Sequence, residues 1–215
     1  MGSRRQVTAS VAADGEVEAE AKSKARAAVQ ETLDLFKYIM LKTGYQGYDV
    51  ELMTKVVLLD AGPEGWVHWE LKVTEFYANQ NGVMHGGAAG VIFDMCTTTA
   101  LCPVAKPGYW DFQGGVTRAL NISYLRAVPI NTTIHIHSQV IQRGRTMALI
   151  RGTMTSPDSD PARRIVYATC DHHKVNVPVR PDHLALRDEM RMEKKRRETE
   201  NQDHVGLQGP GKARL

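Results

Sequence analysis

Hydrophobic and polar positions follow a helical rhythm early in the chain and an alternating rhythm later. From Glu18 to Lys42, good helix formers carry Val29, Leu33, Phe36, Tyr38 and Met40 in a loosely amphipathic pattern that Gly44 ends. That predicts a helix docking on a core. Leu52–Leu59 and Trp66–Val73 read as strands flanking the turn Ala61-Gly62-Pro63-Glu64-Gly65, a hairpin signature. Asn79–Met84 leads into a helical segment from His85 to Leu101, stopped by Pro103 and Pro107-Gly108. Four strand candidates follow: Val116–Arg126, Thr132–Arg143, Thr146–Thr155 and Arg164–Val177. In the first, Val116, Leu120, Ile122 and Tyr124 form an apolar face, and Thr117, Ala119, Asn121 and Ser123 a small polar one.

A hairpin, one helix and four antiparallel strands make a two-layer α+β arrangement, one long central helix on an antiparallel sheet of about six strands. The expected organisation is a disordered tail over 1–17, an N-terminal helix over 18–47, the folded domain over 48–178 and a charged tail over 179–215. That last tail contains a frayed helix from Asp182 to Glu200.

Composition narrows the function classes. With 215 residues, 42% apolar and 24% charged, the chain fits one globular domain with tails. Net charge is +3, and the segment from Arg180 onward supplies nine Lys/Arg against seven Asp/Glu, leaving the folded part nearly neutral. A phosphate-backbone reader would carry a basic stripe there, so nucleic-acid binding is not expected. The longest apolar stretch, Val83–Ala105, contains His85 and Asp94, which speaks against a membrane span. Cys96, Cys102 and Cys170 form no CxxC pair, and the chain opens without an apolar leader, so a reducing compartment is expected. His135, His137, His172 and His173 show the alternation or adjacency of strands, and no acidic or cysteine partners make a metal cluster with them, so no metal site is expected.

The chemistry concentrates at Asn79-Gln80-Asn81-Gly82-Val83-Met84-His85-Gly86-Gly87-Ala88-Ala89-Gly90-Val91-Ile92-Phe93-Asp94. Three glycines in five positions at a helix start cost up to about 1 kcal/mol each relative to alanine. Either the backbone packs closely on something, or its N–H groups face a ligand such as an oxyanion or thioester carbonyl. Asp94 stands in an apolar helix among Val91, Ile92, Phe93, Met95 and Cys96. Buried there, with a raised pKa, it is a candidate general base or nucleophile, and otherwise it is a solvent-facing residue of an amphipathic helix.

His85 and Asp94 lie nine residues apart, on opposite faces of the helix at 100° per residue. Two antiparallel copies would let Gly86 of one chain face Asp94 of the other, through a face of Gly87, Gly90, Val91, Asp94, Thr97 and Thr98. If both groups are catalytic, the enzyme is a dimer with composite sites.

Asn79, His85-Gly86-Gly87, Asp94 and the strand Val116-Thr117-Arg118-Ala119-Leu120-Asn121-Ile122-Ser123-Tyr124 together resemble the hotdog-fold acyl-CoA thioesterases of the HGG-signature branch, over about Leu52–Asn176. The resemblance implies acyl-CoA hydrolysis to free acid and coenzyme A with no cofactor. Asp94 would activate water or attack the carbonyl, and the Gly86 N–H would hold the oxyanion. His85 would polarise the carbonyl, Asn79 would position substrate or water, and Thr117, standing where serine is usual, would hold the water. Gly87 completes the signature beside the substrate. Arg143 and Arg145 are placed to contact coenzyme A phosphates, or else are ordinary hairpin residues. Homodimers, often paired into tetramers, are implied as well.

Tyr109, Trp110 and Phe112 either wall an acyl pocket or anchor the core. Ala213-Arg214-Leu215 resembles a tripeptide read by the peroxisomal import receptor, so a peroxisomal location is expected over a cytoplasmic one. Other outcomes are a hotdog enoyl-CoA hydratase or dehydratase, and a non-catalytic acyl-CoA-binding module.

Overall fold

The computed structural model describes residues 3–111 and 114–206. Phe112 and the tripeptide Ala213-Arg214-Leu215 lie outside the described residues. Helix α1 (Ser3–Thr43) and a short α2 (Val50–Lys55) precede β1 (Val57–Gly62) and β2 (Trp66–Lys72). Helix α3 (Gly86–Thr98) runs on as a 3-10 turn over Thr99–Val104. Then come β3 (Val116–Tyr124), β4 (Thr133–Arg143), β5 (Met147–Thr155), β6 (Val166–Val175) and α4 (Pro181–Gly206). The six strands form one antiparallel sheet in the order β1-β2-β4-β5-β6-β3.

Alternation drives the layering. Trp69 and Leu71 of β2, Ile134 and Ile136 of β4, Ile150 and Met154 of β5 and Cys170 of β6 are buried in one core. Ala89, Ile92, Phe93 and Cys96 of α3 are buried in the same core. The contact is tight at Gly152, where a Cβ would sit 2.8 Å from Phe93 Cδ1 and 2.8 Å from Thr97 Cγ2. Helix α1 adds Ala25, Val29, Leu33 and Phe36 to the core. Helix α4 docks on α1 through Lys42–Glu189 at 2.7 Å and Arg191–Glu31 at 2.6 Å.

Four expectations change. The first helix begins at Ser3, so residues 3–17 are helical rather than a disordered tail. The segment Leu52–Lys55 belongs to α2, and the strand of the hairpin starts at Val57. The stretch Gly86–Val104 is long and apolar enough by composition to cross a membrane despite Asp94. It instead lies on the sheet with half of its residues buried.

The fourth change bears on the site. Strict alternation puts Thr117 on the polar face of β3 with Asn121 and Ser123. A bulge between Thr117 and Ala119 shifts the register, pairing Thr117 with Lys174, Leu120 with His172 and Ile122 with Cys170. Paired residues share a face, so the bulge turns Thr117 to the side of the sheet that carries α3, where it stays exposed at the edge strand.

Candidate active site

Two groups of polar residues form at different ends of α3. At its start, His85 is the N-cap, and its Nδ1 accepts the Gly87 N–H at 2.8 Å. That acceptor role leaves the imidazole proton on Nε2, facing outward. The Gly86 N–H has no partner among the described residues, while the Gly86 carbonyl accepts the Tyr124 hydroxyl at 2.8 Å. Asn79 shapes the turn before it: its Oδ1 accepts from Asn81 N–H at 2.8 Å, and its carbonyl accepts from Gly82 N–H at 3.1 Å. Gly82 completes that turn at φ +71°, a conformation glycine adopts without strain.

None of the three glycines at the start of α3 is demanded by packing on the sheet. A Cβ at Gly86 would lie 3.4 Å from Tyr124 Oη, and one at Gly90 3.9 Å from Ile122. One at Gly87 would meet only the His85 ring. Within a protomer, then, close helix-on-sheet packing does not explain them.

The second group sits eight residues further on, about 12 Å along the axis at 1.5 Å per residue. The Thr117 hydroxyl donates to Asp94 Oδ1 at 2.6 Å and lies 2.9 Å from His172 Nε2. His172 Nδ1 is 2.6 Å from Thr97 Oγ1, and Thr97 Oγ1 is 2.5 Å from the Phe93 carbonyl. His172 Nε2 and Asp94 Oδ1 are 3.4 Å apart. The His172 side chain is fully buried, and that burial, then Lys174 beside it, pushes its pKa below the usual imidazole range against the pull of Asp94. Near neutral pH the ring is uncharged.

A neutral ring brings one proton, and the two threonines bring one each. Four contacts therefore share three protons along the chain Phe93 carbonyl, Thr97, His172, Thr117, Asp94. With Thr117 donating to Asp94 and the ring proton on Nδ1, the contact left without a proton is that between Thr117 and His172 Nε2, so a proton taken up by Asp94 lets Thr117 turn and donate to His172. That is the arrangement a general base needs.

Asp94 is not buried as expected. Its side chain is 40% exposed and opens on a cavity of about 310 Å³. Phe36 of α1, Met53 of α2, Met95 of α3, Val116 and Thr117 of β3, and Lys174 of β6 are among its lining residues. Thr97, assigned from sequence to a face between two copies, is instead buried against the sheet.

The structure thus brings Asp94 and Thr117 together, and keeps Asn79, His85, Gly86 and Gly87 in a separate group. Arg143 and Arg145 stand exposed at the β4–β5 turn. Arg143 Nη1 reaches the Val104 carbonyl at 3.4 Å, and the Arg145 carbonyl accepts from Asn176 Nδ2 at 3.3 Å. Trp110 anchors this turn: it is buried, and its Nε1 donates to the Gly144 carbonyl at 2.9 Å.

His172, Thr97 and Lys174 were missed as site residues. The signal available was the inward parity of His172 and Lys174 with Cys170 on β6, polar positions falling where apolar ones belong. Burial raises the pKa of Cys102 to about 11 and of Cys170 to about 12, which disfavours the reactive thiolate.

Residues 81–162 match the family model described as the thioesterase superfamily. Acyl-coenzyme A thioesterase 13 of Mus musculus is 30% identical over 110 residues, covering 51% of this chain and 74% of the relative. A zebra fish thioesterase superfamily member 2 structure aligns with a TM-score of 0.54 at 32% identity, covering 67% of this chain and 97% of its own. The Mus musculus member 2 structure gives 0.51 at 26%, covering 67% and 96%. The chain belongs to the thioesterase superfamily, with the hotdog arrangement of a central helix on an antiparallel sheet.

Proposed function

We propose that the protein hydrolyses the thioester of an acyl-CoA to the free acid and coenzyme A, with Asp94 as general base. The observation that carries this reading is the Thr117 hydroxyl 2.6 Å from Asp94 Oδ1, backed by a buried neutral His172 and facing a cavity. Superfamily membership supports thioester hydrolysis in general, and the acyl-CoA thioesterase 13 relatives support an acyl-CoA substrate.

In this reading, Thr117 and Asp94 hold a water. Its oxygen attacks the thioester carbon while its proton passes to Asp94, completing the network that was one proton short. The Gly86 N–H at the positive end of α3 receives the oxyanion. Collapse breaks the C–S bond, and the proton held by Asp94 passes to the leaving thiolate. His85 Nε2–H polarises the carbonyl, the Asn79 amide positions the substrate, and Gly87 keeps the helix start open to it. Arg143 and Arg145 take coenzyme A phosphates.

Gly86 and Asp94 are too far apart along one helix to serve one carbonyl. The complete site therefore pairs Gly86 of one copy with Asp94 of a second, in a homodimer that itself can pair into a tetramer. Enoyl-CoA hydration fits less well, because an amide at Asn79 cannot act as a base and its Oδ1 is already engaged.

The test is thiol release from acyl-CoAs ranging from short aliphatic to long-chain and aromatic. Selective release is expected. Loss of enoyl conjugation without thiol release would overturn the reading in favour of hydration, and tight acyl-CoA binding without release would overturn it in favour of a binding module.

A further inference from the structure

Lys174 is the strangest residue in the core. It is 3% exposed, and its Nζ donates to Thr98 Oγ1 at 2.7 Å. An ammonium has three N–H donors, and a hydroxyl takes one. Among the described residues it makes no ion pair within 4.0 Å. Burying a cation beside a single hydroxyl is costly, and a fold without a use for it would place methionine or leucine there.

Its surroundings say what the use is. Lys174 lines the same cavity of about 310 Å³ as Asp94 and Thr117, and is paired with Thr117 across the β3–β6 ladder. The other walls include Phe36, Met53, Met95 and Val116, suited to hydrocarbon. At about 30 Å³ per water-sized unit, the cavity holds on the order of ten such units. Thr32, Asp49, Thr98 and Thr99 line it as well, so Lys174 stands in a pocket that begins at Asp94 and sets polar groups among apolar walls.

We propose that Lys174 selects acyl groups carrying a neutral oxygen, a hydroxyl or oxo group, a few carbons beyond the thioester carbonyl. This rests on the thioesterase reading of the same cavity. A neutral acceptor fits better than a second carboxylate, because Asp94 already supplies the negative charge acting on Lys174. Asp94 and Cys102 both favour its charged form, against desolvation, which lowers its pKa to about 8. It remains a donor on either side of that value.

The experiment uses six-carbon CoA thioesters, unsubstituted or hydroxylated at successive carbons, with the adipoyl thioester as the carboxylate control. For the full-length protein, one hydroxylated isomer should exceed hexanoyl-CoA about tenfold in kcat/KM, and adipoyl-CoA should not. In Lys174→Met that ratio should fall toward one whatever the absolute rate, and in Lys174→Gln, which keeps a donor, it should stay intermediate. Circular dichroism establishes that both variants fold.

The free acids, compared by calorimetry, give the same ratio without turnover. Absence of hydrolysis would therefore strike the thioesterase reading alone. A wild-type ratio within twofold of one, a best substrate bearing a carboxylate, or a preference that survives in Lys174→Met would overturn the proposal.

Discussion

Replacing Thr97 with valine removes one oxygen from the middle of the buried network while keeping the shape of the side chain. With the ring proton on Nδ1, the tautomer that leaves Nε2 to accept from Thr117, His172 then loses the acceptor 2.6 Å away, in a side chain with no exposure to water. A buried donor left unsatisfied costs about 1–3 kcal/mol. Better burial of the valine methyl offsets part of this, so the expected loss is about 1–2 kcal/mol. For a chain of this size that lowers the melting temperature by about 2–8 °C.

The ring has one escape, moving its proton to Nε2. Thr117 must then accept from Nε2 and donate to Asp94, which uses up the vacancy for the water's proton. A rate loss of about tenfold, 1.4 kcal/mol, follows. Thr97→Ser keeps the oxygen and should retain both the network and the rate. Urea unfolding and thiol release on the two variants decide the matter. A valine variant as stable and as active as the serine variant would refute the hydrogen-bond reasoning.

Gly152→Ala drives a methyl to 2.8 Å from Phe93 and Thr97. Overpacking of about 1–3 kcal/mol, partly offset by about 0.5–1 kcal/mol for removing a strand glycine, should lower the urea midpoint, and a raised midpoint would contradict the packing. The Lys174 pKa, lowered by desolvation from 10.5 to about 8, means the unfolded chain binds more protons between those values, so stability contributed by this group rises with pH across that window. The full effect is about 3 kcal/mol at 1.36 kcal/mol per unit. Lys174→Met should be more stable than wild type at pH 7, with the gap narrowing toward pH 10, and a gap constant with pH in parallel unfolding curves would contradict this. If sites are shared between copies, co-refolding Asp94→Asn chains with chains carrying Gly86→Pro, which lacks the N–H, should restore part of the activity absent from each alone. No restoration, with mixed oligomers demonstrated, would mean that each chain carries a complete site.

The layering was legible because the physics behind it is periodic. Two-residue alternation placed β3 to β6 within a few residues, and the glycine-rich start with Pro103 bracketed α3. Boundaries slipped where propensity and tertiary contact disagree, as at Leu52–Lys55, where apolar residues that read as strand close a helical turn instead. Of the site, Asp94, Gly86 and His85 were visible as local anomalies: a lone acid in an apolar helix, and glycines where helices avoid them. His172 was not, because a histidine on a strand is unremarkable until the β3–β6 pairing puts it beside Asp94. The turn of Thr117 to the α3 side was hidden for a different reason, since a bulge breaks the very period by which faces are assigned.

The central claim is that Asp94 draws a proton from water to break a thioester. Thiol release by the wild type and by Asp94→Asn, on the best acyl-CoA of the panel and with matched circular dichroism, tests it most directly. Asp94→Asn should lose turnover by orders of magnitude with the fold intact. Wild-type-like release by the asparagine variant would contradict it.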